Sequence, residues 1–165
     1  MRMTGRERLW IGVAGASGAA AVAIGAAGRH LLSGEVYRQE LAATGAHYAL
    51  VHAVALLGVA ALSTALGMAS GAARHWLAGA GWCFAAGLVL FPGSLYLRAA
   101  GLLPAVAPAT PIGGSLFILG WLALAGSALV GGRRARPLPA AEPAGSRLKA
   151  DEAGPSASSA APPAP

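Results

Sequence analysis

Acidic residues are scarce, and none is placed for chemistry. There are six in 165 residues, and Glu7, Glu35, Glu40, Glu142, Asp151 and Glu152 all fall outside the long apolar runs of the chain. That predicts no buried carboxylate to act as base, metal ligand or proton carrier. It also counts against a proton-coupled exporter of the small four-helix multidrug type, which relies on such an acid. Cysteine occurs once, as Cys83, so no intrachain disulfide forms. The four histidines are spread along the chain with no paired ligand spacing on one helix, a distribution that fits no metal-ligand pattern. No strand precedes the glycines of GAGWCFAAG or VAGASGAAAVAIGAAG, which therefore read as packing glycines and not as nucleotide loops. No cofactor and no enzyme activity are expected.

What is present is apolar. Hydrophobic residues make up 56% of the chain and charged ones 11%, and the mean hydropathy is +0.60. Four runs, 9–28, 47–69, 76–97 and 112–132, are long enough to cross a hydrocarbon core, which takes roughly 20 residues. In lipid each backbone polar group must be satisfied within its own segment, so these runs are predicted to be helices despite their glycine and alanine content. They do not alternate as barrel strands would. The expected fold is all-α: an integral membrane bundle of four antiparallel helices over residues 9–132. The start of the chain also has the basic, apolar, small-residue order of a secretory signal, but its apolar part exceeds the usual core of about 7–15 residues, and it is read as a retained helix.

The net charge of +6 would point to nucleic acid in a soluble chain. Here the arginines flank the runs, so no nucleic-acid partner is expected and the bias reports orientation. Arg2, Arg6, Arg8, Arg74, Arg133, Arg134 and Arg136 lie on one side; Arg29, Arg38 and Arg98 lie on the other. Residues 1–8 and both termini are thus expected in the cytoplasm. Residues 133–165, rich in Pro, Ala and Ser, are expected to form a disordered cytoplasmic tail whose arginines meet lipid headgroups. Leu31, Leu32, Val36, Tyr37 and Leu41 recur at near-helical spacing between the first two runs, predicting a short interfacial helix there. Gly79, Cys83 and Gly87 form a narrow stripe of small residues, the expected helix-helix seam of the third run.

Antiparallel packing gathers the polar groups at one end. His30 follows the first run, Tyr48 and His52 share a face of the second, Ser94 and Tyr96 close the third, and Thr110 precedes the fourth. Pro92 removes a donor to the Leu88 carbonyl and predicts a kink, eased by Gly93; Tyr48 or His52 is expected to supply the missing donor. Two readings stand. In one, the cluster ties the bundle together, and the protein acts through lipids, a second copy or another membrane protein. In the other, it lines a pocket of a small channel, transporter or lipid- or quinone-binding protein, with His52 the leading member.

Four segments also carry a resemblance: GAAGRHLL at 25–32, HYALVHAVALL at 47–57, GWCFAAGLVLFPGSLYL at 81–97 and TPIGGSLFILGWLALA at 110–125. In this order and spacing they resemble the small bacterial inner-membrane proteins of domain-of-unknown-function family 423, similar to transmembrane protein 256 of animals. The likeness spans roughly residues 9–131. The first segment resembles the family's Gly-Ala-Phe-Gly-Ala-His, matching at Gly25, Gly28 and His30 and departing at Ala27 and Arg29. Pro92 stands where the family usually has Ser. The resemblance implies a four-helix membrane protein of no established activity in the bacterial inner membrane.

Overall fold

The computed structural model describes residues 3–65, 71–102 and 108–131. They form four helices, α1 (Gly5–Leu31), α2 (Val36–Ala65), α3 (Gly71–Ala99) and α4 (Ala109–Gly131), and no strand among the described residues. Each is apolar and long enough to span a bilayer. At about 1.5 Å per residue they reach roughly 35–45 Å, beyond the ~30 Å hydrocarbon layer and into the headgroups. The bundle is the expected membrane four-helix architecture. Its helices overrun the apolar stretches because the hydrogen-bond ladder continues into polar flanks where caps exist. The expected tail, residues 133–165, lies outside the described residues.

Those caps are visible. At the start of α1 the Thr4 N–H donates to Glu7 Oε2 at 2.7 Å. This draws Glu7 into the helix, where it is only 3% exposed, so the expectation that no carboxylate would be buried fails at this one residue. The acid stands ahead of the apolar run, yet its helix begins before that run does. At the other end of the bundle α1 and α2 are joined by a tight turn in which Gly34 takes a φ of 95°, a left-handed value that disfavours a Cβ. The predicted interfacial helix is absent. Leu31 closes α1, and Val36, Tyr37 and Leu41 already belong to the first turns of α2, because one long helix satisfies more backbone groups than two short ones.

The end of α3 is closed twice. The Leu102 N–H bonds the Leu97 carbonyl and the Gly101 N–H the Arg98 carbonyl, a Schellman arrangement with Gly101 at φ 74°. Arg38 of α2 then donates from Nε to the Ala99 carbonyl, and Arg98 donates to the Tyr37 hydroxyl at 2.6 Å. Two of the three arginines at this end are therefore fasteners between α2 and α3.

Glycines set the helix spacing. A Cβ at Gly28 would stand 3.1 Å from that of Ala42, and one at Gly25 3.3 Å from that of Ala46, so α1 and α2 approach through small residues. Along α3 and α4 rings and glycines alternate. Phe91 fills the space at Gly113, Phe117 that at Gly87, Phe84 that at Gly120 and Trp76 that at Gly126. Trp10 of α1 lies over Gly81 in the same manner and is fully buried. The predicted seam is therefore out of phase: Gly87 packs, but a Cβ at Gly79 would meet nothing within 4 Å and Cys83 is only half-buried. Small residues permit close approach, and approach occurs only where the neighbour has a ring to place over them. The helix α3 continues through Pro92, which is fully buried, to Ala99.

Candidate functional site

The sequence gathers six polar residues at the Gly34 end, and the structure sorts them into separate places. His52 is buried, at 4% exposure. Its ring lies on that of Phe117, with centroids 3.5 Å apart and planes 11° from parallel, and is bordered by Phe84 and Tyr48. Both ring nitrogens have partners. Nδ1 lies 2.8 Å from the Tyr48 carbonyl oxygen, and Nε2 lies 3.3 Å from Trp121 Nε1. A carbonyl only accepts and an indole N–H only donates. The ring that satisfies both is neutral, with its proton on Nδ1 and its lone pair on Nε2 facing the indole. Such an imidazole has no free nitrogen left to hold a metal or pass a proton.

Tyr48 is more exposed and meets α3 through its ring, 4.9 Å from that of Phe91. Neither it nor His52 reaches the Leu88 carbonyl, contrary to expectation, because the imidazole is already engaged by Tyr48 and Trp121. The polar tie near Pro92 is made instead by Ser94, which donates to the Phe91 carbonyl at 2.8 Å and lies 2.7 Å from the Thr110 hydroxyl. With the Ser94 proton directed to Phe91, the threonine is the donor of the second bond. This links α3 to the first turn of α4. No contact places Gly93 in the seam; a Cβ there would meet open space.

Tyr96 and His30 stand apart. The Tyr96 ring packs over Gly45, and its buried hydroxyl has no partner among the described residues. The ring also borders an apolar cleft of about 360 Å³ between the ends of α1 and α3, with Ile24, Gly28, Leu31 and Leu97; none of the other five residues lines it. His30 is exposed at the end of α1. Among the described residues no three His, Cys, Asp or Glu side chains gather as metal ligands would.

Trp121 is the residue that reading the sequence misses. It stands four positions after Phe117, so both rings leave the same face of α4 and close on His52 together. That spacing was the available signal.

A family model described as a protein of unknown function, DUF423, matches residues 24–114. The chain is 38% identical over 105 residues to the UPF0382 membrane protein YwdK of Bacillus subtilis, covering 62% of this chain and 80% of that protein. It is 36% identical over 118 residues to the UPF0382 inner membrane protein YgdD of Escherichia coli, covering 70% and 85%. Against the UPF0382 membrane protein SAB0533 of Staphylococcus aureus it is 36% identical over 106 residues, covering 63% and 81%. No solved structure matches the chain. The family-matched segment includes all of α2 and α3, with His52, Ser94 and Tyr96, and stops short of Phe117 and Trp121.

Proposed function

The chain belongs to the DUF423 family of proteins of unknown function, and on that premise we propose that it is a non-enzymatic protein of the bacterial inner membrane that works by association. Its partners are lipids together with a second copy or another membrane protein. The observation that carries this reading is His52. The most suspicious group in the spans has both nitrogens bonded within the bundle and a ring stacked on Phe117, which is how a structural tie is built. Ser94 and Thr110 are likewise bonded to each other.

Both termini are proposed to be cytoplasmic. Seven arginines flank the helices on the terminal side against three on the other, and two of those three are engaged in joining α2 to α3. With Cys83 replaced by Ala, a cysteine at Ser33 is expected to react with an impermeant thiol reagent from outside intact cells, and one at Ala144 only after lysis. Labelling in the reverse order would invert the topology.

The alternative, a channel, transporter or lipid- or quinone-binding protein using the polar end, has one observation in its favour, the apolar cleft beside Tyr96. Co-purification in mild detergent with mass spectrometry of the bound molecules separates the two. Association predicts the same bound proteins from wild type and from His52→Phe and Tyr96→Phe variants. A small molecule present in wild type and lost from either variant would favour the alternative.

A further inference from the structure

At the end of the bundle opposite the polar cluster, two cavities meet at His75. One, of about 340 Å³, lies between α1 and α3 and is lined by Thr4, Arg6, Arg74, His75 and Ala78. The second, of about 490 Å³, is a groove between α3 and α4 that starts at His75 and Trp76 and runs past Gly79 to Cys83, walled by Leu119 and Leu122. The first is cationic and polar; the second is apolar.

We propose that this pair is a binding site for one anionic phospholipid, with the phosphate at Arg6, Arg74 and His75 and an acyl chain in the groove over Gly79. It names one component for the association reading and rests on that reading only in requiring the helices to span the bilayer.

Charge complementarity decides the occupant. The only ion pair among the described residues is Arg38 with Glu35 at the far end, so neither Arg6 nor Arg74 has an acidic partner among them. Arg6 is held over the Trp10 ring at 5.0 Å and lines the first cavity. His75 Nδ1 donates to the Gly71 carbonyl at 2.6 Å, which fixes the ring and leaves Nε2 without a hydrogen-bond partner among the described residues. Glu7, the acid next to Arg6, is buried and its Oε2 accepts from the Thr4 N–H. An anionic headgroup supplies the acceptors these groups lack, and cationic clusters at a membrane surface attract such lipids.

The groove supplies the second half. From His75 to Cys83 it extends about 12 Å along the helix, most of the roughly 15 Å depth of one hydrocarbon leaflet. Gly79 keeps it open, since a Cβ there would meet nothing. A free anion has no use for such a groove; a lipid fills both cavities at once.

Native mass spectrometry of the full chain in mild detergent tests this, with phosphatidylglycerol and phosphatidylcholine present at equal concentration. One phosphatidylglycerol is expected to be retained preferentially. At about 1 kcal/mol per surface arginine, Arg74→Gln should reduce the preference about fivefold and Arg6→Gln with Arg74→Gln about 30-fold. Gly79→Leu should reduce retention of both lipids. Should the double variant fail to fold, Arg74→Gln alone decides, because Arg74 is exposed. An unchanged preference in Arg74→Gln overturns the site, as does displacement of phosphatidylglycerol by millimolar inorganic phosphate, which would mark a simple anion site. If no protein co-purifies from wild type, association with a protein partner fails while this lipid ratio stands.

Discussion

Gly113→Leu is expected to lose about 3 kcal/mol of stability in detergent, the upper end of the range for overpacked interfaces. A Cβ at Gly113 would lie 2.5 Å from the Phe91 backbone nitrogen and 2.9 Å from its Cα. A backbone inside a helix cannot turn aside, so α4 itself must move away and loosen the ring-into-glycine contacts below it. Gly87→Leu should cost about 1–3 kcal/mol, because it meets a ring edge of Phe117 at 2.6 Å, and that ring is held in place by His52. Gly79→Leu is the matched control, with a change within about 0.5 kcal/mol, as for an exposed site. Thermal or denaturant unfolding in detergent ranks the three. Equal stability of Gly113→Leu and wild type would mean that α3 and α4 do not approach here.

The second large effect is expected at His52 and is best read as a cycle. His52→Phe keeps a flat ring on Phe117 but removes the acceptor for the Trp121 indole, and Trp121→Phe leaves Nε2 unpaired. Each should cost about 1–2 kcal/mol, since an orphaned polar group in an apolar setting carries a desolvation penalty. The double variant should cost less than the sum, by about 0.6 and at most about 1.7 kcal/mol, the mean and maximum measured for hydrogen bonds between membrane helices. Strict additivity would show that the 3.3 Å contact contributes nothing.

The sequence makes the four helices legible because hydropathy alone demands them, and it makes Tyr48 and His52 legible as neighbours because four residues return a helix to the same face. Less is visible wherever a partner on another helix decides. The stripe of Gly79, Cys83 and Gly87 is periodic, but periodicity on one helix does not say where the next helix lies; Phe84, Gly87 and Phe91 face α4 because Gly120, Phe117 and Gly113 stand opposite. Glu7 looks exposed from its polar neighbours and is buried by a cap that only the folded turn creates. Pro92 promises an unpaired carbonyl, yet the side chains expected to serve it are committed elsewhere.

The pairing of His52 with Trp121 has a consequence for the order in which the protein is made. Most helix contacts join neighbours in sequence, α1 with α2, α2 with α3 and α3 with α4, so each helix can dock on its predecessor as it leaves the ribosome. Trp10 of α1, seated over Gly81 of α3, departs from this order, and so does His52. Its indole partner is 69 residues further along, and at about 5–20 residues per second the imidazole is synthesised roughly 3–14 s before that partner. During that interval α2 carries a polar ring with one nitrogen unmatched, and the arrival of α4 is what ends it. An unfinished chain lacking α4 therefore exposes a polar mark in the middle of a membrane helix that the finished chain conceals.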